Sequence, residues 1–415
     1  MKRVQSIKLI IQVVTSHQRK MQRQERFFVI SLYICVATLL AFVSGTVHHN
    51  YISNRFDHFT EDEYNTIFPH KEDERGTLKL INVLFRHGNR TADSQAELYP
   101  RDPYLNNTYF PYGLGQLTRI GKRREYDIGV ALRKRYNNFL GQYYYPEIVE
   151  AISTDYNRTK MSLQLVLAGL FPPRRDDMFD DNFFWQPIPF NYFPRPQDRV
   201  LLGVLCPRYL EIYEQYCASN RIQGKFQKYQ KIFDYVSQHS GLNVTRFQHL
   251  YQLYFGLSTE SEYGLDMPAW TNAVWPDTIV KLSIEEYYIS MGNSNLRKMA
   301  AGYFLHKLLE DARRKMSDTS KLTRKIHLYS AHENNIAQLL IALGVFEPHI
   351  PNYGAYAILE LHKVNGVYGF KIFYDNWTGG GPRLLKMPRC GEFCPFDRFI
   401  SLIDEHLPIN HENLC

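Results

Sequence analysis

After its amino-terminal region the chain lacks any apolar run long enough to cross a membrane, and it has no internal repeat and no low-complexity linker. Nothing therefore tethers the carboxyl end to a bilayer. The paired Cys-x-x-Cys spacing of structural zinc sites is also missing. With 44% hydrophobic and 14% aromatic residues among 415, the chain suits one large folded unit or two domains rather than a disordered or fibrous protein.

The body of the protein also lacks a net charge. The whole chain has 49 Lys and Arg against 42 Asp and Glu, a formal +7, but the first 45 residues contain seven of the basic residues and only one acid. The other 42 basic and 41 acidic residues nearly cancel, so the body has no electrostatic bias toward polyanions. A nucleic-acid binder is therefore the least favoured class.

Residues 1–45 have the pattern of a basic cytoplasmic leader followed by a targeting segment. The uncharged run at residues 27–47 follows RKMQRQER, which predicts a signal-peptide core or a single membrane anchor with its amino end in the cytoplasm. Small residues favour cleavage after Gly45, and initiation at Met21 would give a leader of ordinary signal-peptide length. We expect cleavage rather than a retained anchor. In both cases the body lies outside the cytoplasm, secreted or lumenal, as in the extracellular space or the lysosome.

Cysteines and sequons fit an oxidising compartment. Apart from one in the leader, the cysteines are Cys206, Cys217, Cys390, Cys394 and Cys415. Their odd number allows at most two disulfides and leaves one thiol over. The sequence CGEFC offers one short loop to close. N-x-Thr sequons that we expect to carry glycans lie at Asn106, Asn243 and Asn376.

The body begins with alternating strands and helices. The apolar run LKLINVLF at residues 78–85 predicts a buried strand, and residues 117–140 have helical spacing with Thr118 near their start. A second strand in EIVEAISTD and a helix that ends before Pro172 complete a strand, helix, strand, helix order. That order is typical of a doubly wound α/β sheet.

The alternation is interrupted once and then resumes. Residues 171–296 are rich in Pro, Asn, Tyr and Phe with short helical stretches, which predicts a smaller, mainly helical cap inserted over the sheet. A helix at residues 296–316, a strand at 325–332 and a hairpin turning at Asn365 and Gly366 follow. We therefore expect an α/β domain built from residues 76–170 and 297–415.

Candidate functional residues follow three of the predicted strands. Ligands of open α/β sheets bind beyond the carboxyl ends of strands. His87 lies just past the first strand, in a turn that we attribute to Gly88, with Arg86 and Arg90 close by. The segment STDYNRT after the second strand contains Arg158.

The third strand adds a histidine and a carboxylate, because YSAHENN places His332 and Glu333 past its end. Three arginines, two histidines and an acid meeting at one edge suit a phosphate ester, since guanidinium groups bind phosphate oxygens in pairs. At ~4 Å and an effective dielectric near 20, each charge pair contributes on the order of 4 kcal/mol before desolvation.

In combination these blocks resemble the histidine acid phosphatases, the two-domain family that includes prostatic, lysosomal and insect venom enzymes. RHGNRTA is similar to the family's RHGxRxP, STDYNRTKMS to STDxxRTxxS, and SAHE to SAHD, and the resemblance runs from about Leu78 to Cys415. The chain departs where Ala92 replaces the usual proline and Glu333 the usual aspartate. It is most similar to the venom-type members, in which a glutamate is familiar.

The resemblance implies a phosphoglycerate mutase-like fold and a reaction without metal or cofactor. By resemblance His87 is the nucleophile, which forms a phosphohistidine and is held neutral in acid by nearby arginines, and Glu333 is the general acid and base. The implied phosphate-binding residues are Arg86, Arg90, Arg158 and His332. Two further sequons, at Asn89 and Asn157, adjoin these arginines and are expected to stay bare.

The resemblance also implies disulfides that pair Cys206 with Cys415 and Cys390 with Cys394. Cys217 is then the odd residue, and we expect it to be a buried apolar thiol. A homodimer is a further implication, since members are often dimers.

The predicted function is a secreted or lumenal acid phosphatase that hydrolyses small-molecule phosphate monoesters or phosphopeptides. One alternative is a catalytically weakened secreted anion-binding member, favoured by the departures at Ala92 and Glu333. The other is a phytase-like inositol polyphosphate phosphatase, against which the nearly neutral body argues. The cap contains no motif that identifies the substrate.

Overall fold

A computed structural model describes residues 76–93, 97–317, 324–408 and Cys415. The predicted leader, with its apolar run at residues 27–47, lies outside these residues. Within the described part of the chain, no helix combines the length and the apolar character needed to cross a bilayer.

A mixed sheet of eight strands forms the centre of the described residues. The strands are β1 (Leu78–Arg86), β2 (Val149–Ser153), β3 (Asn191–Tyr192), β4 (Ile326–Ala331), β5 (Tyr356–Val364), β6 (Val367–Asp375), β7 (Arg383–Leu385) and β8 (Cys394–Pro395). Their order is β3-β2-β4-β1-β5-β6-β7, and β8 also pairs with β6. The first four strands pair in parallel, whereas β5 to β8 pair antiparallel. The predicted α/β fold is confirmed, with a mixed sheet that is flanked by helices.

Helices cover the sheet and fill the long connection between β3 and β4. They are α1 (Arg119–Leu140), α2 (Asn157–Leu170), α3 (Arg199–Leu202), α4 (Pro207–Cys217), α5 (Asn220–Gln227), α6 (Gln230–Ser240), α7 (Phe247–Glu262), α8 (Asp277–Ser290), α9 (Ser294–Arg297), α10 (Tyr303–Met316), α11 (Glu333–Ala342) and α12 (Phe396–Ile403). Thr118 caps α1, because its side-chain oxygen accepts from the amide of Gly121 at 3.2 Å. Helix α2 ends at Leu170, just before the predicted proline boundary.

Two further predictions concern the hairpin at Asn365 and Gly366 and the helix at residues 296–316. Strands β5 and β6 are joined across Asn365 and Gly366, both with positive φ, as the tight hairpin requires. The helix predicted at residues 296–316 is present, although it begins at Ser294 and contains a π-helical turn at Lys298–Gly302 between α9 and α10. All five residues of that turn are buried, and a Cβ on Gly302 would lie 2.0 Å from a backbone oxygen of His406. Close packing against the carboxyl-terminal segment therefore accompanies the wide turn.

Both faces of β1 are buried, as its continuous apolar run predicts. Ile81, Val83 and Phe85 join a cluster with apolar residues of α1 and α2. Leu80 and Leu84 belong to the cluster on the other face, with residues of α10 and α11. Burying each such side chain contributes about 1.5–3 kcal/mol. The strand that ends at the candidate site is thus anchored on two sides.

Disulfides link Cys206 to Cys415 and Cys390 to Cys394. The first joins the start of α4 to the end of the chain, and the second closes the short loop before β8. Cys217 lies buried at the end of α4 without a disulfide. Its thiol has a pKa raised to about 11 by burial, so it is uncharged at neutral pH.

Candidate active site

Three neighbouring parallel strands deliver the predicted side chains to one edge of the sheet. The order β2-β4-β1 places Arg86 beside Ala331 and Ser153 beside Ser330, so the three carboxyl ends lie side by side. His87 follows β1, Arg158 is in the first turn of α2, and His332 and Glu333 begin α11. The six predicted side chains, all at most 9% exposed, are Arg86, His87, Arg90, Arg158, His332 and Glu333.

The imidazole of His87 is held in one tautomer by its two neighbours. Its Nδ1 lies 2.9 Å from the backbone oxygen of Gly88, which can only accept, so Nδ1 carries the hydrogen. Its Nε2 lies 3.2 Å from the Nε–H of Arg158, which can only donate. The Nε2 lone pair of His87 therefore points toward the arginines and accepts from Arg158 before a ligand binds.

Burial lowers the pKa of His87 well below its ordinary value of 6.5, and the positive charges of Arg158 and Arg86 lower it further. The neighbouring His332, whose ring centre lies 5.4 Å away, has a pKa lowered to about 3 by burial and by Arg158. Its Nε2 lies 3.0 Å from Oγ1 of Thr154, at the end of β2. Both rings are therefore neutral in mildly acidic solution.

The arginines are positioned by carboxylates that sequence reasoning missed. Arg90 pairs with Glu97 through two hydrogen bonds of 2.5 and 2.8 Å. Arg158 pairs with Asp93, whose carboxylate oxygens lie 3.0 and 3.2 Å from its terminal nitrogens. Both acids follow the RHGNRT block within eight residues, but no spacing rule marks them as arginine partners. They partly neutralise the guanidinium groups and fix their planes.

Arg86 is held by a carbonyl and an aromatic ring. Its Nη1 donates to the backbone oxygen of Pro351 at 2.7 Å, and its guanidinium lies 3.8 Å from the ring centre of Tyr353. Phe255 of α7 lies between Arg86 and Arg90, with its ring centre 5.4 and 5.6 Å from the two guanidinium carbons. These aromatic residues shield the arginines from water, which strengthens their attraction for an anion.

Several arginine donors remain available to a ligand. The Nη2 of Arg86 and the Nε of Arg90 are buried and have no hydrogen-bond partner among the described residues, and the Nε of Arg86 makes no hydrogen bond there but lies 3.4 Å from the Glu333 carboxylate. Nearly all buried N–H groups in proteins have a hydrogen-bond partner. Donors without one at this edge of the sheet therefore indicate a ligand with acceptor atoms. A phosphoryl group supplies several strong acceptor oxygens.

Glu333 lies between the core and a helix of the long insertion. Its Oε1 accepts a hydrogen bond from the hydroxyl of Tyr251 on α7, and its Oε2 lies 3.4 Å from Nε of Arg86. Burial raises the pKa of this carboxyl, but Arg86, His332 and the hydroxyl of Tyr251 together lower it below its ordinary value. The group is therefore a carboxylate before a ligand binds. Glu333 is the first residue of α11, so the segment SAHENN is helical from this residue onward.

The role assigned to Gly88 needs correction. Gly88 has no positive φ, so a turn that requires glycine is not its purpose. A Cβ at this position would lie 2.4 Å from the backbone oxygen of Gly121 in α1, and a Cβ on Gly121 would lie 2.1 Å from the oxygen of Asn89. The two glycines let the first turn of α1 pack directly on the backbone after His87. That contact fixes the carbonyl that selects the His87 tautomer.

The Ala92 departure is accommodated by packing. Ala92 is fully buried with Leu98 and Tyr109, and its carbonyl accepts from the amide of Gly115 at 2.7 Å. An apolar residue of small volume therefore fits, and the departure does not expose the neighbouring Arg90.

One group of described residues has a composition that could hold a metal, and it lies away from this edge. Glu150, Asp311 and His327 are close together near the amino ends of β2 and β4. Lys307 already pairs with both carboxylates, at 3.2 and 2.6 Å. The group is therefore a buried ion-pair network rather than an open ligand set.

Comparisons with known proteins agree with this geometry. The model of the histidine phosphatase superfamily (branch 2) matches residues 77–375. The venom acid phosphatase of Apis mellifera is 39% identical over 339 residues, which cover 81% of this chain and 87% of that protein. The lysosomal acid phosphatase of Homo sapiens is 30% identical over 345 residues, covering 82% and 80% respectively.

A solved structure is similar in fold at much lower identity. The Hafnia alvei phytase in complex with myo-inositol hexakis sulphate has a TM-score of 0.59 and 16% identity, over 80% of this chain and 98% of that chain. The family model and the two sequence relatives indicate the same family. The chain belongs to the histidine phosphatase superfamily, branch 2.

Proposed function

We propose that the protein is an acid phosphatase that hydrolyses phosphate monoesters, including small molecules and phosphopeptides, through a phosphohistidine at His87. The observation that supports it most is the combination of a neutral His87 with the unpaired donors of Arg86 and Arg90. The names of the venom and lysosomal relatives point to the same activity.

In the first step Nε2 of His87 attacks phosphorus and the bond from phosphorus to the ester oxygen breaks. The phosphoryl oxygens accept hydrogen bonds from the free donors of Arg86 and Arg90. Arg158, which lies beside the nucleophile, and His332 also donate to them. Glu333, in its protonated form, gives its proton to the leaving oxygen, which departs as an alcohol. The Nδ1–H bond to Gly88 stabilises the phosphorylated imidazole, because that ring gains positive character.

In the second step water attacks the phosphohistidine while the carboxylate of Glu333 takes one of its protons. The bond from phosphorus to nitrogen breaks, the lone pair returns to Nε2 of His87, and inorganic phosphate leaves. Glu333 thus changes from acid to base between the steps, and because the phosphate leaves with the proton that Glu333 took from water, the carboxylate of the free enzyme is restored. No cofactor is needed to balance either step.

The activity should follow the protonation of the substrate on its alkaline side. Since Glu333 is ionised in the free protein, its proton must enter with the monoanionic ester, whose second pKa is about 6. We expect kcat/KM to fall above about pH 6, and to fall at lower pH for p-nitrophenyl phosphate, the more acidic ester, than for an alkyl phosphate. Below pH 6 activity should persist, because His87 remains neutral.

The pH profile is measured with both esters on secreted residues 46–415. If kcat/KM fell at the same alkaline pH for both esters, the group that titrates there would belong to the protein rather than to the substrate. Loss of activity between pH 6.5 and 5.5 would mean that His87 becomes protonated there, against the lowered pKa. Stoichiometric anion binding without turnover would instead favour the binding-protein alternative.

We further propose that the body is secreted or lumenal, with residues 171–296 forming a cap on the α/β domain. The placement is supported by the two disulfides and by the names of the venom and lysosomal relatives. The cap is supported by six helices that follow one another without a strand in the described segment between β3 and α9. A retained anchor at residues 27–47 remains the alternative to cleavage.

Glycosylation should separate exposed sequons from those at the site. Asn106 and Asn243 are exposed, and Asn376 is half-buried. Asn89 is 8% exposed and donates to Glu262 at 2.8 Å, so it is inaccessible to the transferase in the folded protein. Asn157 is exposed but directly precedes Arg158.

Glycopeptide mapping of active protein from a secretory host should find sugar at some of Asn106, Asn243 and Asn376. It should find none at Asn89 or Asn157. Stoichiometric sugar at either of the last two would contradict the position of the phosphate-binding edge.

A homodimer is supported by an aromatic surface beside an unpaired strand edge. Strand β3 is the last strand on its side of the sheet, which leaves backbone hydrogen-bonding groups at the margin. Exposed aromatic side chains within residues 179–193 are Phe179, Phe183, Phe184, Trp185, Tyr192 and Phe193. An exposed apolar patch of this kind marks an interaction surface.

Light scattering after size exclusion should give twice the mass of one chain. Phe183→Lys with Tyr192→Lys should shift the protein to a monomer, because two charges would have to be buried in the interface. A double substitution elsewhere on the surface, Leu105→Lys with Val367→Lys, is the control. A monomeric parent protein at micromolar concentration would contradict the proposal.

A further inference from the structure

A cavity of about 200 Å³, lined by none of the six predicted site residues, lies among helices α4, α7, α8 and α11. An apolar cavity of about 150 Å³ accommodates benzene, so this one, which also opens to the surface, suits a ligand somewhat larger than benzene. Its mouth includes Leu205 and Leu210, which are partly exposed. Neither the proposed nucleophile nor the phosphate-binding arginines line it.

The walls of this cavity have aromatic faces and no basic group. Four tyrosines line it: Tyr209, Tyr213, Tyr251 and Tyr287. None of the described residues around it is a lysine, arginine or histidine. Aromatic faces attract cations, and an anion would find no counter-charge here. The cavity therefore has the opposite preference from the phosphate-binding edge.

Hydrogen-bond acceptors complete the lining. Glu286, 6% exposed, has one oxygen bound by the hydroxyl of Tyr213 at 2.7 Å. The other oxygen, Oε2, together with Oε1 of Gln338 and Oδ1 of Asn334, is buried without a partner among the described residues. Three acceptors in one cavity match the three N–H donors of a primary ammonium.

We propose that this cavity binds a small primary organic ammonium ion. Its N–H groups bond Glu286, Gln338 and Asn334, and its apolar part lies among the tyrosine rings. The chemistry of the lining sets the class of ligand, since it offers three unpaired acceptors, a carboxylate and aromatic faces but no cationic side chain for an anion.

The competing arrangement is a protonated Glu286 that donates to one of the amide oxygens. Burial raises the pKa of Glu286 to about 8, with the Tyr213 hydroxyl and Arg246 lowering it and Glu214 raising it. A bound cation favours the ionised carboxylate. If the ionised carboxylate binds a cation, Glu286→Gln should weaken the binding. If Glu286 is protonated and bonded to an amide oxygen, the substitution should leave the affinity for an amine unchanged.

The cavity also adjoins the proposed catalytic acid. The ring of Tyr251 is one of its walls, and the hydroxyl of the same residue donates to Glu333. Asn334 is the next residue after Glu333. The ammonium ion is either the leaving group of an amine-bearing phosphate ester or a separate amine that acts on the enzyme from outside the phosphate site.

Calorimetry on the intact secreted protein at pH 8 tests the proposal. The probes are 2-phenylethylamine, its neutral analogue 2-phenylethanol and the anion phenylacetate, which are closely similar in size. We expect the amine to bind at least tenfold more tightly than the alcohol, and phenylacetate not to bind. Equal binding of amine and alcohol, or no binding of the amine, overturns the proposal.

Variants identify the place of binding. Glu286→Gln should weaken the amine at least tenfold, and Leu210→Trp at the exposed mouth should do the same without altering a buried polar group. Glu211→Gln, which removes an exposed carboxylate from the same helix as Leu210, should leave the affinity unchanged. Unchanged affinity in both Glu286→Gln and Leu210→Trp places the amine elsewhere and overturns the site.

Kinetics with phenyl phosphate identify the source of the ammonium group. An amine that raises KM alone occupies the position of the leaving group. An amine that changes kcat acts as an effector through Tyr251 and Glu333. A change in KM alone and a change in kcat each presuppose that the amine binds in the cavity. Binding should also persist in His87→Ala, so the site stands or fails separately from the phosphohistidine.

Discussion

His87→Ala is expected to abolish turnover, with a loss on the order of 10⁴-fold or more, because the variant lacks the Nε2 lone pair that lies against Arg158 and is proposed to attack phosphorus. Rapid acid-free quenching with a ³²P-labelled ester should trap a phosphohistidine on the parent protein and nothing on the variant. Both measurements are needed, since loss of activity alone would also follow from misfolding.

The fold should survive the substitution. His87 is buried, but its imidazole is neutral, and its main backbone constraint is the contact between Gly88 and Gly121 rather than the ring. Circular dichroism and the melting temperature provide the check, with His349→Ala, at a half-buried histidine outside the site, as the control. Chelators should leave the parent enzyme unchanged. Activity lost in a chelator and restored by a divalent metal would overturn the phosphohistidine mechanism.

Glu333→Gln is expected to slow alkyl phosphates far more than p-nitrophenyl phosphate. An alkoxide needs a proton as it leaves, whereas p-nitrophenolate leaves without one, and general acid catalysis typically contributes about 100- to 10,000-fold. The loss for the alkyl ester should be a large part of that range. Single-turnover rates of His87 phosphorylation are the measurement to make, because the same carboxylate also assists water in the second step.

Tyr251→Phe is the matched variant for this test. It keeps the ring and removes the hydroxyl that donates to Glu333, which should raise the pKa of the carboxyl and leave its proton-donating role intact. We expect a smaller loss than for Glu333→Gln and a similar loss for the two esters. Equal, small losses for both esters in Glu333→Gln would remove Glu333 from the acid role.

The sequence was sufficient to predict the framework of the site because its signals are local. The strand before His87 is a continuous apolar run, and Asn365 and Gly366 specify a hairpin by their backbone preferences alone. The edge at which His87, Arg158 and Glu333 meet follows from parallel pairing of three short strands. Each inference needs only residues close in the chain and the geometry of an open sheet.

Apart from Asp93 and Glu97, the residues that sequence reasoning missed contact the site from distant parts of the chain. Tyr251 lies 82 positions from Glu333, and the carbonyl that holds Arg86 belongs to Pro351, 265 positions away. Nothing in a single sequence distinguishes Tyr251 from the many other tyrosines of the same region. The reason for Gly88 was also missed, since a close approach between backbones leaves no local pattern.

The hydrogen bond from Tyr251 to Glu333 has a consequence for how such an enzyme diversifies. Helix α7 belongs to the proposed cap, and it carries Tyr251 and Phe255 toward the site. A change that reshapes α7 for a new substrate therefore also moves the donor that sets the acidity of Glu333. Substrate range and tolerance of poor leaving groups are then inherited together, and chimaeras that exchange this helix between relatives should exchange both traits at once.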